Sequence, residues 1–474
     1  LHMSNASAHK EEATRMVWAY LIFICASTAF RSFETGIISS MMPDITTSLR
    51  LSYTKEGIVA ASPDYGMIPG SLVAGFVFKH FRAHYVLMMG YAVTATVCFT
   101  NAFFGSMASL VFARAVGSFF WAFAVTHYPA WINTHGKKTN KTIMLALPSV
   151  MLLVGTVSGY FVGGLAASSH FASWTWLYGL EGALMGLCAV CSCLFDPELV
   201  SMVDRSSVLR SPDTESRERS TLENRTKAGP NAAAAPLLES RQPNKLQSTS
   251  ATLWSRLRLP AEVVALLTSR VFIFTALAAA TISGAGGLIL YFVMQVGMQA
   301  TGWSKRNFHL VSGAVMATSP LSGTITGAVI LQRFGGYQNY SAALLFTSVS
   351  SLLILVSNVT VLICCLLRNN ALWHYVFVAA FFSLTFFGAW PAAATNGVTV
   401  SVVPGTAHYA SGLTFVLLHL VKLVVPIVGG WVIDSVGLLI GFPCCLIALA
   451  VMMFLCSLAA YRELKCSSSQ IAPQ

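Results

Sequence analysis

What most constrains this chain is a set of twelve apolar runs, each close to the length that crosses a bilayer, arranged as two groups of six around a long polar stretch. The first six lie at about 17–42, 57–78, 85–104, 109–132, 143–167 and 174–194; the second six lie at about 271–294, 310–331, 342–367, 373–400, 409–433 and 438–461. Hydrocarbon offers no water to bond backbone N–H and C=O groups, so an apolar run of about 20 residues satisfies them internally as a helix. The expected fold is therefore an all-α membrane protein, with twelve transmembrane helices in two six-helix domains. Composition agrees, because 55% of the 474 residues are hydrophobic and only 10% are charged, whereas soluble proteins carry about 25% charged residues. The runs divide the chain into an N-terminal tail (1–16), a first domain (17–196), a linker (197–255), a second domain (256–464) and a C-terminal tail (465–474). The linker is rich in Ser, Arg, Glu and Pro and has too little apolar surface to bury, so disorder is expected there.

The net charge of +11 bears on orientation rather than on nucleic acid, since basic residues collect in the cytoplasmic loops of membrane proteins. With both termini in the cytoplasm, Lys and Arg in the loops and tails divide 21 inside to 5 outside. That split predicts cytoplasmic termini, and it leaves the sequons at Asn140, Asn224 and Asn339 on the unglycosylated side. The first run contains Arg31 and Glu34 and is longer than a signal-peptide core, so it is expected to remain as the first helix. Of the 11 cysteines only Cys466 stands clearly outside an apolar run, which makes packing, not disulfides or metal, their expected role. Among nucleotide loops, paired metal ligands and catalytic nucleophile arrangements none is recognisable, so neither an enzyme nor a cofactor is expected.

The two groups echo one another. Lys79-His80-Phe81-Arg82 follows the second run, and Gln332-Arg333-Phe334-Gly335-Gly336 follows the eighth, six runs later. The fifth run carries Gly155, Gly159, Gly163 and Gly164, and the eleventh carries Pro426, Gly429 and Gly430. Glycines four apart share one helix face and allow another backbone to come close, and such paired halves are the trace of a duplicated transporter. Together with Arg114 and Gly117 in the fourth run and Trp174-Thr175-Trp176 before the sixth, these features resemble the major facilitator superfamily. Within it the chain is most similar to the Spinster-like lysolipid and sphingolipid transporters. Glu34 stands nine residues before Pro43 in Met42-Pro43-Asp44-Ile45, Ser269-Arg270-Val271-Phe272 opens the seventh run, and the segment from Val402-Val403-Pro404 to Leu418-His419-Leu420 has the same character. Departures are Lys79 and Arg82 in the loop after the second run, Thr35 beside the acid, Trp121 in the fourth run and Lys422-Leu423 in the eleventh, each where the family has a different residue. The resemblance implies alternating access, an amphiphilic lipid substrate, proton coupling, and an endolysosomal or plasma-membrane setting.

Ionisable side chains at bilayer depth cost a few kcal/mol each and normally face a partner or a cavity. Arg31, Glu34, Asp64, Arg114, Glu181 and Lys422 are six such residues, three of each sign. Glu34 is the first candidate for proton coupling, and Arg31, three residues away, either holds it ionised or forms a static pair with it. Asp64 lies between Pro63 and Gly66, as a second proton site or as a cap for distorted backbone. The planar guanidinium of Arg114 suits an anionic headgroup or a buried acid. His419 and Lys422 share a helix face and form a second cationic spot, while His127 and Tyr128 are further cavity candidates. Glu181 is expected in a charge pair with a structural role. The expected function is transport of a lysophospholipid or sphingolipid-like amphiphile, with protons and membrane lipids as its other partners. A carrier of small organic anions, amino acids or drugs is the alternative in the same class, and a non-transporting sensor or scaffold the alternative outside it.

Overall fold

A computed structural model describes residues 2–135, 141–169, 172–201, 261–368, 370–403 and 407–471, and every regular element in them is a helix. The first half contains α1 (His2–Leu49), α2 (Tyr53–His80), α3 (Ala83–Phe104), α4 (Met107–His135), α5 (Lys141–Ser169), α6 (Trp174–Ser192) and the single turn α7 (Pro197–Val200). The second contains α8 (Ala261–Thr268), α9 (Arg270–Thr301), α10 (Lys305–Arg333), α11 (Tyr340–Leu366), α12 (Ala371–Ala389), α13 (Ala392–Ser401), α14 (Ala407–Val436) and α15 (Leu438–Ile471). Polar side chains start several of them. Ser52, Ser173, Ser269, Ser304, Asn339 and Asn370 each accept a hydrogen bond from a backbone N–H in the first turn of the helix that follows. Gly105 and Gly302 close α3 and α9 in the left-handed conformation that a side chain disfavours.

Each of the twelve apolar runs lies on helix, with one difference from expectation. The tenth run is broken into α12 and α13 at Trp390-Pro391, because a proline supplies no N–H and its ring meets the carbonyl four residues back. Ten helical segments among the described residues are long and apolar enough to cross a membrane by themselves. The other two, α2 and α6, carry the buried carboxyls of Asp64 and Glu181, and both are covered by neighbouring helices. The first half packs α1 on α5 and α6, α2 on α4, and α3 on α4 and α6; the second packs α9 on α14 and α15, α10 on α12, and α11 on α12 and α15. Across the divide α2 meets α14, α5 meets α10, and α1 meets α9. Most of the expected linker lies outside the described residues. Its first turn, α7, is held against α4 by Trp131 Nε1, which donates to Leu199 O at 2.7 Å, and by His127 Nε2, 2.9 Å from Val200 O.

Very close helix approach sets the position of the first helix. A methyl group on Gly155 or Gly159 of α5 would fall on the backbone of Ala29 or Phe33, and one on Gly36 would fall on that of Thr156. The α1 and α5 backbones are therefore in direct contact along the stretch that carries Arg31 and Glu34.

Candidate functional site

The buried charges of the first half form one connected group. Glu34 accepts hydrogen bonds from Arg31 Nη1, from Arg114 Nε at 2.6 Å and from Tyr178 OH at 2.6 Å. Arg31 also donates to Glu181 Oε1 at 2.8 Å and to Ser118 Oγ at 3.1 Å. Arg114 also donates from Nη1 to Val59 O at 2.5 Å and from Nη2 to Tyr291 OH at 2.7 Å, the latter across the divide on α9. Two guanidinium groups and two carboxyl groups thus lie together, and all four side chains are almost completely buried. Loss of one partner from such a group strands a charge, at about 3–5 kcal/mol. Helix α1 supplies Arg31 and Glu34, α4 supplies Arg114 and α6 supplies Glu181.

A cavity of about 410 Å³ lies between the halves beside this group. Arg31, Glu34, Asp64 and Ser118 line it from the first half, and Tyr291, His419 and Lys422 from the second, with Met67, Trp121 and Leu152 as apolar wall. Asp64 and His419 join the halves directly, Oδ1 to Nδ1 at 2.5 Å. Phe415 packs on the His419 ring at 4.3 Å between centroids. Among the described residues no hydrogen-bond or ion-pair partner reaches Lys422, whose side chain lines the cavity. A second, apolar pocket of about 230 Å³ lies within the second half and has Gly286 as a wall residue in common with the first.

The residues singled out from the sequence divide three ways. Arg31, Glu34, Asp64, His419 and Lys422 are together on one cavity, and Glu181 is bonded to Arg31 behind it. Arg114 is not among the lining residues, because Glu34, Val59 and Tyr291 occupy its donors. His127 and Tyr128 do not line the cavity; His127 is buried against Val200 O and the rings of Tyr20 and Phe78. Sequence reasoning missed Tyr178, Ser118 and Tyr291, whose hydroxyls complete the charged group. Tyr178 stands three residues before Glu181, on the same face of α6, which was the available signal. Nothing local marks Tyr291.

At the end of the bundle away from the chain termini, polar bonds tie the halves together. Lys305 Nζ bonds both oxygens of Asp44 at 2.5 and 2.6 Å, and Asp434 accepts from Tyr53 N at 2.9 Å and Thr54 N at 2.8 Å. Tyr160 OH lies 2.8 Å from Ser312 Oγ. Asp434 thus satisfies amides that the start of α2 leaves without helical partners.

Two packed helical halves around a central, charge-lined cavity define a membrane transporter rather than an enzyme. Residues 24–417 match the Major Facilitator Superfamily, and the chain belongs to that family. Among solved structures, a bacterial homolog of the human lysosomal transporter Spinster, inward-facing and unoccupied, superposes with a TM-score of 0.64 at 13% identity, over 94% of this chain and 96% of its own. The nucleoside transporter NupG superposes at 0.63 with 14% identity over 95% and 99%, and a D-xylose-proton symporter at 0.62 with 13% identity over 92% and 97%. The putative metabolite transport protein YwtG of Bacillus subtilis (strain 168) is 25% identical over 182 residues, 38% of this chain and 39% of that protein. The aligned part is therefore well under half of that relative's length.

Proposed function

We propose that this chain is a proton-coupled, alternating-access transporter of single-chain amphiphiles with an anionic head, of the lysophospholipid or sphingolipid kind. The observation that carries this reading is the placing of two unlike spaces on either side of one wall residue, Gly286: a cavity lined by Lys422, which has no partner among the described residues, and an apolar pocket. A charged head and a hydrocarbon tail need those two environments in contact. In this reading the head bonds Lys422 and His419, and His419 is drawn from Asp64. The released Asp64 carboxylate then takes a proton, so that substrate and proton occupy the cavity together. Glu34 is the other coupling carboxyl, and Arg114 positions it. The termini lie in the cytoplasm, as the loop charges favour, and the polar bonds at the opposite end close the cavity from the far side.

A carrier of small organic anions is the second reading, favoured by Lys422 and His419 lining a cavity of only about 410 Å³. One experiment separates the two. Uptake of labelled lysophospholipid and of a panel of small organic anions is measured in proteoliposomes, with and without an imposed proton gradient, for the parent, Glu34→Gln, Asp64→Asn and Gly286→Leu. A Cβ at Gly286 meets nothing within 4 Å, so Gly286→Leu fills space at the wall shared by the two pockets. The amphiphile reading expects gradient-stimulated lysolipid uptake that all three variants lose. Transport of a small anion that survives Gly286→Leu, with no lysolipid uptake by the parent, replaces it with the second reading.

A further inference from the structure

Glu56, in the first turn of α2, is a completely buried carboxyl at the junction of the halves, with no cation bonded to it among the described residues. Its partners are neutral: Gln295 Nε2 of α9 donates to both oxygens at 3.0 Å, and Thr46 Oγ1 of α1 lies 3.1 Å from Oε2. An ionised carboxylate taken from water without a counter-charge is far more costly than a neutral acid with the same hydrogen bonds. The surrounding charges do not change this. Asp44 of α1 is engaged by Lys305 of α10, and Asp434 of α14 is itself negative and bonded to the start of α2. His309 of α10 is buried nearby against Gly164 and Tyr160 and bonds nothing, and on α2 itself Lys55 points outward while Tyr53 is neutral. A vestibule of about 490 Å³ on this end is lined by Thr46 and Gln295, the two partners of Glu56, but not by Glu56.

We propose that Glu56 is a proton-binding site of the gate at the end away from the termini, protonated when the halves close there and ionised when they part. The proton comes from water in the vestibule and forms an O–H bond on Oε2. The acid then donates to Thr46 Oγ1, while Oε1 still accepts from Gln295. Opening moves Gln295 away with the second half, admits water, and returns the proton to it. Closure at this gate is therefore favoured in acid and lost as pH rises. The site acts on the gate and is separate from Asp64 and Glu34 in the cavity; the inference rests on the alternating-access reading in requiring that the halves part.

The test is hydrogen–deuterium exchange of residues 51–56, whose Tyr53 and Thr54 amides are bonded across the gate, in the full-length protein in lipid nanodiscs between pH 5.5 and 8. After correction for the intrinsic chemistry, one proton lost per opening gives about a tenfold rise in exchange per pH unit. Glu56→Gln keeps the neutral hydrogen bonds and is expected to stay protected with no residual slope. Gln295→Lys gives the carboxylate a counter-charge and is expected to do the same by the opposite route, which guards against a variant that merely misfolds. Asp64→Asn and His309→Gln should keep the parent slope. A parent slope of zero, or one that survives in Glu56→Gln or disappears in His309→Gln, overturns the proposal. Asp434→Ala should raise exchange of this segment at every pH, and failure of that variant to open counts against alternating access itself.

Discussion

Lys422 and Arg114 have opposite situations, and their substitutions should part accordingly. Lys422 lines the cavity with no partner among the described residues, so its charge serves the substrate and not the fold. A hydrogen bond to a charged group contributes about 1.5–3 kcal/mol, and Lys422→Gln is expected to raise the KM for an anionic amphiphile by about tenfold or more with an unchanged Tm. Kinetics and thermal melting of the purified variant check both halves of that statement. Arg114 is spent on Glu34, Val59 and Tyr291. Arg114→Lys cannot reproduce three bonds in different directions, and it should lower Tm and remove uptake together. Residue identity made the charged group legible, because ionisable side chains inside apolar runs are conspicuous. Glu56 escaped notice because it stands at the edge of the second run, where a charge looks like an ordinary loop residue.

At the scale of the element, the pairing of α1 with α5 is the feature on which the site depends. Gly36, Gly155 and Gly159 remove the side chains from both surfaces, so the backbones meet and Glu34 has no freedom to drift from Arg114 and Tyr178. Gly159→Val should force the helices apart. Overpacking of this kind costs about 1–3 kcal/mol, and the expected results are a lower Tm and loss of proton-driven uptake, while the far smaller cost of Gly286→Ala should leave both intact. The glycine spacing was readable from the chain, but which helix it served was not. The break between α12 and α13 was not readable from Pro391 alone, since Pro43, Pro148, Pro320, Pro426 and Pro443 lie inside unbroken helices.

Across the whole molecule, the polar bonds between the halves gather at the end away from the termini, and the Asp44–Lys305 pair is one of them. Its geometry predicts a charge-swap result. Lys305→Asp alone should weaken the closed gate and raise exchange in residues 51–56, and adding Asp44→Lys should restore protection, because the two side chains are paired with each other across the gate. Sequence by itself determined the helical class and the twelve apolar runs with six ionisable residues inside them, since these follow from how apolar and ionisable side chains partition between lipid and water. Only the tertiary structure decided that Arg114 faces inward to Glu34, that His127 holds α7, that Asp64 bonds His419 355 residues away, and that Glu56 lies against Gln295. Those pairings join positions on different helices, and helix-by-helix periodicity says which face a residue occupies but not which other helix that face will meet.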